Sequence, residues 1–165
     1  MTAAIRLDSI PPRHRPELES IVRATGVFSE DEVGVALELF DEGGDYEFIG
    51  AFANDRLIGY ACFGLTPSTD RTYDLYWIAV HPDAQRTGAG AALMSEVERQ
   101  LEDRRARLVV VETSSREDYA PTRQFYHKRG YQEHARLRDF YAQGDDRVIL
   151  TRRLVAAPAP ASAGQ

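Results

Sequence analysis

The sequence predicts one α/β domain: a mixed central β-sheet of about six to seven strands, flanked by about four helices on its two faces. Three observations lead there. The 165 residues, 43% apolar and 28% charged, make one ordinary globular domain that can bury a core without disulfides. Pairs of apolar, β-rich runs separated by turn residues read as hairpins. Between them lie strand–helix–strand units, which demand parallel crossovers in the same sheet.

The elements follow in order. Ala4 to Asp8 reads as a short strand, stopped by Pro11-Pro12. Pro16 to Thr25 places Leu18, Ile21 and Val22 on one helix face, with Gly26 as terminator. Ser29 and Glu32 form a capping box, and Val33, Leu37 and Phe40 follow at helical spacing until Gly43-Gly44. The period then changes. Tyr46 to Ala53 and Leu57 to Phe63 are apolar runs joined by Asn54-Asp55-Arg56, a hairpin. The loop Thr66 to Arg71 leads to an aromatic strand, Thr72 to Val80, ended by His81-Pro82. An amphipathic helix from about Ala91 to Arg105 buries Leu93, Met94, Val97 and Leu101. Leu108 to Val111 is short and wholly apolar, as an interior strand is. Pro121 to Arg129 is a helix ended by Gly130, and Tyr131 to Leu137 and Arg147 to Leu154 are the last strands. The domain is expected to span 1–155; the segment 156–165, AAPAPASAGQ, has nothing to fill a core and is expected to fray.

The net charge of −6 disfavours a surface built for nucleic acid. A lone cysteine, Cys62, excludes an intramolecular disulfide and any multi-cysteine metal site, and it reads as strand filler. His14, His81, His127 and His134 lack metal-ligand spacing, so no metal is expected. No run approaches the roughly 18 apolar residues of a membrane span, and no signal-peptide pattern opens the chain. The expected compartment is the cytoplasm, with no membrane partner.

The chemistry is written in DLYWIAVHPDAQRTGAGAALMSEVERQL. It reads as a buried strand, a loop with Gly88 and Gly90, then a helix. Glycines let successive N–H groups point at one spot, and the helix N-terminus adds free amides at the positive end of the macrodipole. A phosphate or diphosphate suits that place; a turn that merely starts a helix is the plain alternative. The nucleoside-triphosphatase loop needs Gly-Lys-Ser/Thr, and the chain's one lysine is the distant Lys128. The dinucleotide fingerprint needs a third glycine where Leu93 stands.

QRTGAG resembles the acetyl-CoA-binding signature of the GNAT superfamily of N-acetyltransferases, Gln/Arg-x-x-Gly-x-Gly/Ala, with Gln85, Gly88 and Gly90 matching. WIAVHP resembles the strand that precedes that loop, and TRQFYHKRGY the second cofactor-contacting helix. The likeness covers essentially the whole folded chain. Thr87 stands where glycine is frequent, Tyr119 where asparagine is, and Thr122 where alanine is.

The resemblance implies acetyl-CoA as cosubstrate and an amine acceptor as partner. It implies that Gln85, Arg86, Thr87, Gly88, Ala89, Gly90 and Ala91 surround the diphosphate, chiefly through main-chain N–H groups. Ile78, Ala79 and Val80 would present strand-end backbone to the pantetheine arm, with Ser114 and Phe125 also on the cofactor side. Tyr126 would be the general acid that protonates the departing thiolate, and the Val80 N–H an oxyanion donor. Its alternative role is packing. Asp74, six residues before Val80, would be the base, Glu112 the runner-up, and water a third option. Phe28 and Tyr141 would line the acceptor side. Asp139, Asp145 and Asp146 either attract a cationic amine or form a solvated hairpin turn, the reading preferred for Asp145 and Asp146. The expected activity is transfer of acetyl to a primary amine of a small molecule or peptide, directly, in a ternary complex. The alternative is a catalytically weak acyl-CoA-binding sensor. A homodimer fits either.

Overall fold

A computed structural model describes residues 3–154. The expected fraying segment, 156–165, lies outside the described residues. The elements alternate as β1 (Arg6–Asp8), α1 (Arg15–Ala24), α2 (Glu30–Glu42), β2 (Glu47–Ala53), β3 (Arg56–Leu65), β4 (Thr72–Val80), α3 (Ala89–Asp103), β5 (Leu108–Ser114), α4 (Ala120–Lys128), β6 (Gln132–Ala142) and β7 (Asp145–Arg153). One seven-stranded sheet has the order β1-β2-β3-β4-β5-β7-β6, and only β4 and β5 pair in parallel.

Local chemistry places the ends. The Ser29 hydroxyl accepts from the Glu32 N–H at 3.2 Å while the Glu32 carboxylate accepts from the Ser29 N–H at 2.6 Å, so both arms of the capping box form. Asn54 and Asp55, at φ +49° and +60°, make the two-residue turn that matches the twist of β2 and β3.

Each sheet face has its own core. On one, Leu93, Met94, Val97 and Leu101 of α3 are wholly buried against Phe63, Leu75, Val109, Val111, Val148 and Leu150. Burying each such side chain contributes roughly 1.5–3 kcal/mol. On the other face, Leu18, Ile21 and Val22 of α1 and Val33, Ala36 and Leu37 of α2 pack on Phe52, Leu57, Tyr60, Cys62 and Ala79. Glu98, buried on α3, pairs with Arg129 after α4 at 3.2 Å and with Arg152 of β7, joining three elements.

One irregularity shapes everything that follows. Phe63 faces Leu75 and Cys62 faces Trp77, so Tyr76 has no partner on β3. This β-bulge inverts the alternation along β4. Before it, Tyr73 and Leu75 face α3; after it Ile78 and Val80 do, while Tyr76, Trp77 and Ala79 join the α1–α2 core.

Four strands outrun their sequence-based bounds: β3 spans Arg56–Leu65 rather than Leu57 to Phe63, β7 begins at Asp145 rather than Arg147, and β5 and β6 extend further. The β5 strand continues through Glu112, Thr113 and Ser114, and β6 runs to Ala142 rather than Leu137. All eleven β6 residues are exposed on an edge strand, so no apolar alternation marks its far half.

Candidate active site

The parallel ladder is short. It runs from Thr72 opposite Leu108 to Leu75 opposite Val111, and beyond that the two strands part. A cleft of about 870 Å³ opens between them, floored by Tyr76 to Val80 on one side and Glu112 to Ser114 on the other. The His81 N–H donates to the Ile58 carbonyl at 2.8 Å. Alternation from that bond turns the Ala79 backbone towards β3, and the N–H and C=O groups of Ile78 and Val80 towards the cleft. Ala79 lines the cleft with its strand but spends its main-chain groups on the sheet.

Next to Val80 lies the glycine loop. Pro82–Ala84 make one 3-10 turn, and the Thr87 hydroxyl donates to the Ala84 carbonyl at 2.5 Å. Arg86 and Gly88 sit at φ +68° and +86°, and α3 begins at Ala89. The N–H groups of Arg86, Gly88, Ala89, Gly90 and Ala91 have no acceptor among the described residues. They gather at the positive end of α3, as an anion site requires. The expectation that both glycines serve the turn needs correction. Gly90 has an ordinary helical φ, and a Cβ there would meet only the Val80 Cγ2, at 3.8 Å; Gly88 alone needs to be glycine for its backbone. That same contact places the loop at the Val80 end of the cleft. Of residues 85–91, Gln85 lines the cleft proper.

Tyr126 projects from α4 into the cleft wall, its residue 5% exposed and its ring edge-on to Phe125 and Tyr131 at 5.4 and 5.6 Å. Burial pushes its phenol pKa well above the ordinary value of 10, so it stays protonated at neutral pH. Phe125 turns away, packing on the α3 core and under the Arg129 guanidinium, so it is not part of the cleft lining.

Three carboxylates approach from β4, β5 and β7. Asp74 accepts from the Thr66 hydroxyl at 2.8 Å. Burial raises its pKa; the Thr66 bond opposes this and the charge of Glu112 adds to it. Tyr76, pushed up to about 12 by burial and then by Asp74, is protonated as well. Glu112 is ion-paired with Arg147. Asp145 corrects the reading of a solvated turn: it is 8% exposed, lines the cleft and accepts from the Ser114 hydroxyl. Ser114 also accepts from the Arg116 N–H at 3.0 Å. Ser114 thus lies beside Asp145 in the cleft lining.

Asp139 and Asp146 do form a turn. The Asp139 N–H donates to Asp146 at 3.0 Å, the Gly144 N–H donates to Asp139 at 2.7 Å, and neither carboxylate lines the cleft. Phe28, after α1, and Tyr141, on β6, line the cleft, as do Glu32 and Tyr119. Sequence reasoning passed over Thr113, Trp77 and Arg147, which also line the cleft. Thr113 is 6% exposed and its hydroxyl has no partner among the described residues. The one signal for it was its place just past an apolar strand.

Among the described residues no three His, Cys, Asp or Glu side chains converge to hold a metal, and no helix is long and apolar enough to cross a membrane. The arrangement offers free amides at one end of a cleft, main-chain donors along it, a protonated phenol in its wall, and carboxylates at the other end. Such a set can hold an anionic carrier, donate a proton and receive one.

Comparison with known proteins gives the same answer. No curated protein matches the chain by sequence. A GNAT-family protein from Desulfovibrio desulfuricans is 40% identical, over 92% of this chain and 100% of its own, with a TM-score of 0.87. The ribosomal-protein-S18-alanine N-acetyltransferase of Escherichia coli, 22% identical over 96% of this chain and 99% of its own, superposes with a TM-score of 0.79. YncA of Salmonella typhimurium, solved with its cofactor acetyl-CoA, is 18% identical over 97% and 99% of the two chains, with a TM-score of 0.75. The model of the acetyltransferase (GNAT) family matches residues 14–131, which takes in the cleft strands, the glycine loop and Tyr126, and the chain therefore belongs to the GNAT acetyltransferase family.

Proposed function

We propose that the protein is an acetyl-CoA-dependent N-acetyltransferase that acetylates a primary amine of a small molecule or peptide, with both substrates bound together. The observation that carries this is the parting of β4 from β5. It leaves the Ile78 and Val80 main chain facing a cleft whose Val80 end lies beside the free amides of residues 86 and 88–91 and whose wall includes Tyr126. Those amides fit a diphosphate, and the unpaired strand edges fit an extended amide-bearing arm that takes the place of a neighbouring strand. Acetyl-CoA, bound so, supplies a thioester-activated acetyl group.

The chain's own groups do the rest. The N–H of Val80 is turned to donate to the oxygen of a carbonyl in the cleft. Tyr126 is the acid candidate for the departing thiolate, and burial keeps its phenol protonated. Because thiols titrate near 8.5 and the phenol above 10, complete transfer is uphill, so the hydroxyl acts chiefly by hydrogen-bonding the charge that develops on sulfur while the proton released by the amine rebalances the site. Asp74 is the better base of the two carboxylates considered. Its raised pKa brings it closer to the amine it must deprotonate, whereas the Glu112 charge is held by Arg147. The carboxylate-lined acceptor end favours transfer over a sensor that only holds acyl-CoA, because a sensor has no use for a second compartment. Cytoplasmic residence fits this use of acetyl-CoA.

Thiol release from acetyl-CoA with a panel of primary amines tests the reading. Tyr126→Phe should lower kcat by about 100-fold or more while CoA affinity, measured by calorimetry, stays the same. Normal turnover in that variant removes Tyr126 from the mechanism. CoA binding with no transfer to any amine leaves the sensor.

A further inference from the structure

We propose that the acceptor carries two basic groups, and that Asp145 holds the one that is not acetylated. This rests on the transfer reading above and adds the class of amine: a diamine, or an amine with a guanidinium elsewhere in the molecule.

The argument begins with charge in the cleft. Both arginines that line it are already held, Arg147 by Glu112 and Arg116 by Asp118 at 3.0 Å. Asp74 and Asp145 line the same cleft, and among the described residues neither has a cationic group within 4 Å; Arg147 acts on Asp74, and Arg116 on Asp145, only from farther off. Asp74 has an assignment: as the base it takes the proton that the reacting nitrogen must lose. Once that nitrogen is neutral, it no longer balances a second carboxylate.

Asp145 is that second carboxylate. It is 8% exposed, so water screens it little; the cation that acts on it, Arg116, is paired with Asp118, and a buried charge so weakly balanced is costly. One oxygen accepts from the Ser114 hydroxyl; the other accepts nothing among the described residues. The strand register fixes where it points. Ser114 lies opposite Arg147, and Asp145, two residues before Arg147, shares its sheet face with Glu112 and Ser114. That face is the floor of the acceptor end. Aromatic rings border it: Tyr119 and Tyr141, with Phe28 against Trp77 at 6.3 Å. Ring faces attract an ammonium or guanidinium and also pack on a methylene spacer. A monoamine would leave Asp145 buried and unbalanced; a dication satisfies both carboxylates at once.

The experiment uses the full chain, with and without saturating CoA, and two tertiary amines that cannot be acetylated. Calorimetric titration with N,N,N′,N′-tetramethylputrescine, a dication at neutral pH, is set against N,N-dimethylbutylamine, which carries one charge. The dication should bind about 10-fold tighter or better, as a buried charge-assisted contact provides. Asp145→Asn keeps an oxygen for the Ser114 hydroxyl and should bring the two affinities together. Equal affinities in the wild-type protein overturn the proposal, and that comparison needs no variant to fold. A preference that survives Asp145→Asn overturns it too. Failure of the transfer reading looks different: no primary amine releases thiol from acetyl-CoA, whatever these titrations show.

Discussion

Replacing each glycine of the QRTGAG loop by alanine separates the two roles the sequence suggests for them. At Gly88 a Cβ meets nothing within 4 Å, so crowding costs nothing. The whole penalty is conformational, because φ is +86° and an L side chain in left-handed backbone costs roughly 1–2 kcal/mol. If the loop keeps its shape, Gly88→Ala loses that stability, which lowers Tm by roughly 2–8 °C for a chain of this size. If the loop relaxes instead, the amides of Ala89 and Gly90 swing off their common point. Each lost hydrogen bond to a charged group then costs roughly 1.5–3 kcal/mol, or about 10- to 100-fold in CoA affinity. Gly90→Ala behaves oppositely. Its φ is helical and its Cβ would rest on Val80 Cγ2 at ordinary contact distance, 3.8 Å. Alanine in a helix is better than glycine by roughly 0.5–1 kcal/mol, so Tm should rise by a few degrees and CoA affinity should change less than about 3-fold. Thermal melts and calorimetric CoA titrations of both variants decide it. Equal loss of CoA affinity in the two would refute the reasoning, since the ligand would then pass over Gly90 where the structure leaves room for a methyl group.

Three further outcomes follow from the same geometry. Because Asp74 must be ionised to accept a proton and its pKa is raised by burial, kcat/KM should fall as pH drops through a value above the ordinary carboxylate range near 4. Asp74→Asn should lower the plateau and remove that limb, and an unchanged profile would discard Asp74 as the base. Cys62 is wholly buried with its thiol pushed up to about 12, so a thiol reagent at pH 8 should label it only on unfolding; rapid labelling of the folded protein would contradict its packing. Ser29→Ala removes one arm of the capping box and should destabilise the protein by about 1 kcal/mol in a urea melt, against no change if the cap were idle.

The fold was readable wherever local chemistry states its own boundary. Ser29 with Glu32, Asn54-Asp55 and His81-Pro82 each mark an end, and each end is where those residues put it. The bulge at Tyr76 was not readable. YDLYWIAV is apolar nearly throughout, so there was no alternation for an extra residue to break, and only the pairing with β3 reveals it. The far half of β6 was lost for a related reason, since an edge strand exposed at every position carries no period. Asp145 reads as turn chemistry beside Gly144, and nothing local says that Ser114, 31 residues earlier, folds over it.

These failures divide by which half of the cleft they touch. The half next to the glycine loop is made of main chain: free amides from residues 86 and 88–91 and the strand edge at Ile78 and Val80. Backbone can be aimed by a single residue of special conformation, here Gly88, and a motif suffices to signal it. The other half is made of side chains brought together from afar. The Tyr119 hydroxyl reaches the Val27 carbonyl at 3.3 Å across 92 residues of sequence, tying the segment after β5 to the loop that presents Phe28. An asparagine, the residue frequent at that position in the resembling motif, is too short to extend as a phenol does. Arg123 steadies the same segment by donating to the Ser114 and Arg116 carbonyls, both at 2.8 Å. A neutral hydrogen bond like that of Tyr119 contributes only about 0.5–1.5 kcal/mol, so its consequence is placement more than stability. It ties the Phe28 loop to the segment after β5, both of which line the cleft. On the proposed reading the departure from the motif at Tyr119 would therefore bear on the choice of acceptor, since its hydroxyl holds the Phe28 loop and not the backbone of residues 78–91.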